Sequence, residues 1–361
     1  MNRNINLPVS ILFIIIVIWG INSGILWLNL YNQQIQDKTW LSSTPEAQGM
    51  DAEILEQVIG DIKQEKIGID SLLIIRHGYI VFENYPNLEE YLSHIMSNQD
   101  NMHSLYSVTK SFTSTLIGIA IKEGYIENTS LKVVDFFPDK MIENLDSRKK
   151  NMTLDHLLTM TSGFEWDEWT GDSAIKMLGS ANPIEHMLNL PMKYDPGTVL
   201  VYCTGASHLL SAIIQKATGH TTLEFARKYL FKPLGVSEVQ WTYDQQNVYH
   251  GGHGLSLRSR DIAKLGYLYL NHGIWNGKQI ISKDWVNKST QTYNFFHEDN
   301  GYGYHWWTWP QSNVYYASGL YGQRIYVAPD YDLVVVFTAN ISNELVLDDL
   351  FNSILISITS K

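Results

Sequence analysis

The sequence is poor in cysteine and in positive charge. Cys203 is the single cysteine among 361 residues, so the chain forms no internal disulfide, and such a cysteine is more often a small buried hydrophobe than a nucleophile. Lys and Arg number 26 against 37 acidic residues, which gives a formal net charge of −11. Because nucleic-acid binding requires clustered basic residues, and the longest basic run is Arg148–Lys150, the composition argues against a nucleic-acid partner.

Charged residues of both signs make up only 17% of the chain, whereas hydrophobic residues make up 45%. This balance is typical of a globular protein and excludes a disordered one. The length is sufficient for one large or two ordinary domains with a sizeable core.

Residues 9–30 carry no charge over 22 positions, a stretch long enough to cross a bilayer as a helix. Arg3 before it favours a cytoplasmic amino terminus. We therefore predict a transmembrane signal-anchor within residues 1–30, with the rest of the chain outside the cytoplasm. The alternative is a cleaved signal peptide and a secreted protein. A polar linker over residues 31–49 then leads into one large domain, residues 50–361.

The two ends of that domain carry matching patterns. The run "MDAEILEQVIGDIKQEK" has helical periodicity, and "SLLIIRHGYIVFENY" predicts a β-hairpin around His77-Gly78. Near the carboxyl end, "GQRIYVAPDYDLVVVFTAN" predicts a second hairpin, and an apolar-periodic helix follows. The sequence thus predicts an α+β fold in which an antiparallel sheet, built from both chain ends, is flanked by helices. A large, mainly helical insertion over about residues 104–300 separates the hairpins.

A Ser-x-x-Lys pattern occurs three times, beginning at Ser107, Ser147 and Ser173. Residues three apart share one face of a helix, and a partly desolvated lysine can act as the base for a serine hydroxyl. Among the three, Ser107 is followed by a strongly apolar segment, "FTSTLIGIAI", that would bury the stem of Lys110. Ser107 and Lys110 are therefore the candidate nucleophile and base, and the alternative is a capping hydroxyl beside a surface charge.

Several segments in this order resemble the serine β-lactamase-related family, which includes class C β-lactamases, D-alanyl-D-alanine carboxypeptidases, related esterases and 6-aminohexanoate-dimer hydrolases. The resemblance runs from about residue 40 to 340. Its main segments are "STPEAQGMD", "YSVTKSFTSTLIGIAIKEGYI", "MTLDHLLTMTSGF", "DPGTVLVYCTGASHLLSAIIQKATG", "GYGYHWW" and "GLYGQRIYVAPDYDLVVVFTAN". It implies a β-lactamase/transpeptidase-like fold and an acyl-enzyme on Ser107.

The resemblance also implies the other site residues. Tyr202 matches the family's proton-shuttling tyrosine, and Thr204 replaces the usual Asn of Tyr-x-Asn as a substrate-binding hydroxyl. On the site strand, "Ala317-Ser318-Gly319" aligns with Lys-Thr-Gly or His-x-Gly, so the usual cation is missing and Ser318 and Gly319 remain to bind substrate. The oxyanion hole would be formed by the backbone N–H groups of Ser107 and Leu320.

Remaining features have weaker signals. Trp166 is a candidate wall of the substrate cleft, and the acidic residues around it are expected to form a solvated loop. His250-Gly-Gly-His253 lacks further ligands at metal-site spacing, so no metal and no cofactor are expected.

We predict a serine hydrolase acting on an amide or ester of a small-molecule or peptide-like substrate. One alternative is a D,D-carboxypeptidase acting on cell-wall peptides, and another is a non-catalytic binding or sensor domain on the same fold. The sequence leaves the oligomeric state open.

Overall fold

The computed structural model describes residues 40–86 and 101–360. The described residues from Ser42 to Ser360 form one compact unit. No helix in the described ranges is both long and apolar enough to span a bilayer, so the prediction of a transmembrane signal-anchor is wrong for that part of the chain. Residues 9–30, on which that prediction fell, lie outside the described residues.

The secondary structure alternates between short strands and helices. The strands are β1 (Leu41–Ser42), β2 (Ile69–Arg76), β3 (Tyr79–Asn84), β4 (Met102–Ser104), β5 (Gln240–Trp241), β6 (Leu255–Arg258), β7 (Ile274–Trp275), β8 (Lys278–Gln279), β9 (Asn294–His297), β10 (Asn300–Tyr302), β11 (Trp307–Trp309), β12 (Val314–Gly319), β13 (Gln323–Ala328) and β14 (Leu333–Ala339). The helices are α1 (Ala52–Gln64), α2 (Thr109–Lys122), α3 (Ser147–Asn151), α4 (Leu154–Leu158), α5 (Asp172–Leu178), α6 (Pro183–Asn189), α7 (Thr204–Thr218), α8 (Thr222–Ala226), α9 (Ser259–Leu270), α10 (Lys283–Ser289) and α11 (Val346–Ile356).

The main sheet contains strands from both ends of the chain. Its order includes β3-β2-β14-β13-β12-β11-β10-β9, and each of these neighbours is antiparallel. The central strands are rich in Val, Ile and Leu, the residues that suit a pleated surface buried on both sides. Helices α1 and α11 pack on one face through a shared apolar core with Leu55, Tyr326 and Phe351. This confirms the predicted α+β architecture and both terminal hairpins.

Helix α9 covers the other face of the sheet at close range. A Cβ atom added at Gly266 of α9 would lie 2.6 Å from the Val334 Cγ1 atom and 2.7 Å from the Ile325 Cγ2 atom. Glycine is therefore required here, because a side chain would push the helix away from β13 and β14.

The insertion between β3 and β9 is mainly helical, as expected. Its helices α2 and α7 pack against each other, and both are buried along most of their length. The first residues of α2 and α7 lie close together, which brings Lys110 within hydrogen-bonding distance of Thr204. The site described next is built around these two helix starts.

Candidate active site

The segment that carries Ser107 has an unusual backbone. Strand β4 leads through Leu105 into a 3₁₀ turn, Tyr106–Val108, which continues directly as α2. Tyr106 has φ of +45°, the left-handed region that a bulky side chain rarely adopts. Its ring makes an edge-on contact with Tyr321, with ring centres 5.2 Å apart. The strained turn thus lies next to Ser107 and is held by a contact from the hairpin that follows β12.

Lys110 lies one helical turn after Ser107 and is only 1% exposed. Its Nζ atom donates to the Ser107 Oγ atom at 3.0 Å, to the Thr204 Oγ1 atom at 2.9 Å and to the Gly252 carbonyl oxygen at 3.0 Å. An ammonium group has three N–H donors, so all three are satisfied. The structure therefore brings the predicted nucleophile and base into direct contact.

Gly252 allows this close approach from the loop before β6. A Cβ atom at this position would lie 2.8 Å from the Thr204 Cγ2 atom and 3.4 Å from the Lys110 Nζ atom. A larger residue would displace the carbonyl oxygen that Lys110 uses. The His250-Gly-Gly-His253 segment, which the sequence raised only as a metal motif, thus contributes a backbone acceptor to the site.

Tyr202 lies directly before α7 and is 8% exposed. The Lys110 Nζ atom is 4.7 Å from the centre of its ring, within the range of a cation–π contact. Trp169 and Trp307 stack on the same ring, with centres 6.1 Å and 5.9 Å away. Within the described part of the chain, no hydrogen bond joins the Tyr202 hydroxyl to Ser107 or Lys110. The phenol ring is thus adjacent to the lysine, and its hydroxyl is not engaged by the Ser–Lys pair.

Thr204 begins α7 and is bound by Glu168, which lies in the loop between α4 and α5. The Thr204 Oγ1 atom donates to the Glu168 Oε1 atom at 2.5 Å, and the Thr204 backbone N–H donates to Oε2 at 2.9 Å. Since the Thr204 hydroxyl gives its one proton to Glu168 and accepts from Lys110, it has no proton left for a substrate carbonyl. Its predicted role in direct substrate binding does not fit this geometry, which makes it a bridge between Glu168 and Lys110.

Trp166, the predicted cleft wall, and Trp169 of the same loop differ in exposure. Trp166 is 7% exposed, and its Nε1 atom donates to the Glu168 Oε2 atom at 2.6 Å. Trp169 is 76% exposed and stacks on Tyr202. Trp169 therefore offers an exposed aromatic surface beside Tyr202, while Trp166 is buried and binds Glu168.

The edge of β12 forms the opposite side of the site. Strand β11 pairs with β12 only over Val314–Tyr316, which leaves Ala317–Gly319 free of that neighbour. A Cβ atom at Gly319 would lie 3.2 Å from the Ser107 backbone nitrogen and would overlap the Leu105 carbonyl oxygen. Glycine is needed for this approach, which brings the backbone at Gly319 close to Ser107.

A cation is present at this edge, although the strand itself lacks one. Arg324 pairs with Ser318 across the β12–β13 register, and its Nη1 atom donates to the Ser318 Oγ atom. The Arg324 Nη2 atom also donates to the Glu344 Oε2 atom at 2.8 Å. The expectation that the usual cation is missing is therefore incomplete. The guanidinium of Arg324 reaches Ser318 from β13, and the Glu344 carboxylate neutralises its charge.

Burial keeps two histidines and the cysteine near Lys110 uncharged. It lowers the pKa of His253 to about 3, helped by the neighbouring His250 and Lys110, and it lowers the pKa of His305 to about 3. Burial also raises the pKa of the Cys203 thiol well above its usual range. At neutral pH these side chains are neutral, and Cys203 is not a thiolate nucleophile.

Comparison with known proteins places this site in a family. The sequence pattern of the family described as "Beta-lactamase" matches residues 52–352. The chain belongs to the β-lactamase family. It is 23% identical over 319 residues to the 6-aminohexanoate-dimer hydrolase of Paenarthrobacter ureafaciens, and the match covers 81% of this chain and 79% of that protein.

Two further relatives extend the comparison. A putative D-alanyl-D-alanine carboxypeptidase of Escherichia coli K12 is 24% identical over 214 residues, which cover 55% of this chain and 49% of that protein. The solved structure of a putative 6-aminohexanoate-dimer hydrolase from Bacillus anthracis matches with a TM-score of 0.70 at 20% identity, over 89% of this chain and 87% of the other.

At these identities the likeness extends to the fold and to the hydrolase superfamily, and not to one substrate. The predicted family and fold are confirmed, and the chain is a hydrolase of the β-lactamase superfamily.

Proposed function

We propose that this chain is a serine hydrolase that cleaves an amide or ester bond through an acyl-enzyme on Ser107. The observation that carries the proposal is the 3.0 Å contact between the Lys110 Nζ atom and the Ser107 Oγ atom, made by a lysine that is almost fully buried. The contact places Lys110 where a base must lie to take the proton of the Ser107 hydroxyl.

In the acylation step, neutral Lys110 takes the proton of the Ser107 hydroxyl as the Oγ atom attacks the substrate carbonyl carbon. The carbonyl oxygen becomes an oxyanion, and the backbone N–H groups of Ser107 and Leu320 are proposed to bind it. Each such donor contributes about 3–4 kcal/mol of barrier lowering in well-studied hydrolases. The close approach of Gly319 to Ser107 supports this arrangement.

The tetrahedral intermediate then collapses, and the bond to the leaving amine or alkoxide breaks. We assign proton delivery to the leaving group to Tyr202, which Lys110 would reprotonate. The position of Lys110 over the Tyr202 ring supports this role. Water then attacks the acyl-enzyme in the reverse sequence of proton transfers.

The proposed substrate is a small-molecule or peptide-like amide or ester. The relative from Paenarthrobacter ureafaciens is named for the hydrolysis of a 6-aminohexanoate dimer. The exposed indole of Trp169 beside Tyr202 supports an apolar acyl or leaving group.

One observation favours a second candidate function, cleavage of peptides that end in a free carboxylate. The guanidinium of Arg324 contacts Ser318 at the edge of the site, and Arg is the residue best suited to bind a carboxylate. Its ion pair with Glu344 weighs against this candidate, since a neutralised cation attracts a substrate carboxylate less.

The test is a hydrolysis panel with the full-length chain and Ser107→Ala. The panel contains a short-chain nitrophenyl ester, a linear 6-aminohexanoate dimer, a D-Ala-D-Ala peptide and a cephalosporin. We expect ester or amide-dimer hydrolysis that Ser107→Ala abolishes. Preference for the D-Ala-D-Ala peptide supports the second candidate. Absence of any Ser107-dependent hydrolysis favours a non-catalytic binding domain instead.

A further inference from the structure

Glu168 is an acidic residue turned inward from a loop of otherwise exposed acidic side chains. Its carboxylate accepts three hydrogen bonds, from the Thr204 hydroxyl, the Thr204 backbone N–H and the Trp166 indole N–H. The two N–H groups can only donate, and the Thr204 hydroxyl donates to the remaining carboxylate oxygen, so all three bonds run toward Glu168. The direction of the Thr204 hydroxyl is therefore fixed by Glu168.

This fixed direction determines how Thr204 interacts with Lys110. Because the hydroxyl proton points to Glu168, the Thr204 Oγ1 atom can only accept from Lys110. The Gly252 carbonyl oxygen can also only accept. Two of the three partners of the Lys110 amine are thus obligate acceptors, and Ser107 is the one partner that can either accept or donate.

The consequence appears when Lys110 loses a proton. A neutral amine has two N–H donors and one lone pair, and the two obligate acceptors take the two donors. The lone pair then faces the Ser107 hydroxyl, which is the orientation required of a general base. If Thr204 were free to turn its proton toward Lys110, the lone pair would be occupied by Thr204 and Ser107 would not be activated.

We propose that Glu168 is a positioning residue that, through Thr204, directs the lone pair of Lys110 at Ser107. The inference rests on the proposed function, because it assumes that Lys110 deprotonates Ser107. Other groups around Lys110 do not supply the same constraint: His253 and His305 are neutral, and neither is hydrogen-bonded to the Nζ atom in the described residues.

The first test compares Glu168→Gln with Glu165→Gln. Glutamine has one acceptor oxygen, and we expect it to accept from the backbone N–H of Thr204 and the indole N–H of Trp166. Its NH₂ group then takes the other position and donates to the Thr204 Oγ1 atom. The Thr204 proton is thereby free to turn toward Lys110. We expect the kcat of ester hydrolysis, and the rate of fluorophosphonate labelling of Ser107, to fall by about 10²-fold, with KM nearly unchanged. Glu165 is exposed in the same loop, and its substitution makes the same charge change with no expected loss.

The second test asks whether Glu168 acts through Thr204. We expect Thr204→Val to be about as slow as Glu168→Gln, and Thr204→Ser, which keeps the hydroxyl, to recover most of the rate that Thr204→Val loses. The double variant should have nearly the same kcat as Thr204→Val alone. A purely structural role of Glu168 predicts losses that multiply, and that outcome would overturn the inference. If Glu168→Gln fails to fold, the comparison of Thr204→Val with Thr204→Ser still tests the proposal. The proposal requires the Thr204 hydroxyl, so equal kcat values for these two variants would contradict it.

The two proposals fail in different ways. A wild-type chain with Ser107-dependent activity that Glu168→Gln retains in full overturns only the positioning role. A wild-type chain that neither hydrolyses the panel nor is labelled at Ser107 overturns the proposed function, and the positioning role with it.

Discussion

Lys110 and Lys149 are both buried in the helical part of the chain, and their partners differ in one chemical respect. The Lys149 Nζ atom donates to the carbonyl oxygens of Glu143 at 3.1 Å and Leu188 at 2.7 Å. The Lys110 Nζ atom also donates to a carbonyl oxygen, that of Gly252, but its other two partners are hydroxyl groups. A carbonyl oxygen only accepts, whereas a hydroxyl can also lose a proton.

The difference shows that burial of an amine does not by itself define a base. Burial lowers the pKa of Lys149, which is a property that a general base needs, yet no hydroxyl contacts its Nζ atom in the described residues. Lys149 therefore ties the loop at Glu143 to the end of α6, while Lys110 has a nucleophile within reach. The predictions below separate these two roles.

The largest effect is expected for the serines that accompany the two lysines. Ser107→Ala should reduce kcat/KM for the best panel substrate by about 10⁴-fold or more, since no other group can form the acyl-enzyme. Ser147→Ala, in the Ser-x-x-Lys match next to Lys149, should leave kcat/KM unchanged. Steady-state kinetics on both purified variants is the measurement. Equal activity of the two variants would contradict the assignment of the nucleophile.

The lysines themselves should separate activity from stability. Lys110→Met should lower kcat by about 10³-fold. Lys149→Met should leave the activity of the folded protein intact. It should lower the free energy of unfolding by about 1–3 kcal/mol for each carbonyl group that is left without its hydrogen-bond donor. Kinetics and urea unfolding on both variants test this. Loss of activity in folded Lys149→Met would remove the distinction between the two sites.

Acid should destabilise the Lys110 region through its buried histidine. Burial holds the pKa of His253 at about 3 in the folded state against an ordinary 6.5, so between these values the unfolded chain binds a proton that the folded chain does not. The free energy of unfolding should therefore fall as the pH drops from about 6.5 to about 3, by at most about 1.4 kcal/mol per pH unit for this group. Urea unfolding across this pH range should show a shallower slope for His253→Gln, and an unchanged slope would contradict the prediction.

The smallest effect concerns Arg324, a third buried cation, at the edge of the site. Glu344→Gln should remove the negative charge that neutralises the Arg324 guanidinium. The preference for substrates with a free carboxylate should then rise by about tenfold, since this is roughly the contribution of one charge-assisted hydrogen bond. The measurement is the ratio of kcat/KM for a carboxylate-terminated peptide and its methyl ester. An unchanged ratio would mean that Arg324 only supports Ser318.

The sequence was sufficient to predict the parts of the site whose partners are close along the chain. Ser107 and Lys110 are three residues apart, and the apolar run after them predicted that the lysine would be buried. Tyr202 and the Gly319 edge came from the family resemblance instead, because nothing in their local pattern marks them as functional. The hairpins and terminal helices were predictable because their periodicity is long and regular.

The sequence missed the residues that act across the fold. Glu168 is 36 residues from Thr204, and its loop has the polar composition of a solvated segment. Arg324 was within reach of prediction, since a hairpin turning at Leu320–Gly322 pairs Ser318 with Arg324 across two strands. The carbonyl of Gly252 gave no signal, because a backbone acceptor carries no side-chain signature.

The most direct test of the central claim is the rate at which Ser107 becomes covalently modified in wild type, Lys110→Met and Lys149→Met. The full-length proteins are incubated with a fluorophosphonate, and the adduct is followed by intact mass and located by peptide mass spectrometry. The account predicts a single adduct on Ser107, formed at similar rates in wild type and Lys149→Met and about 10³-fold more slowly in Lys110→Met. An adduct on another residue, or labelling of Lys110→Met at the wild-type rate, would contradict it.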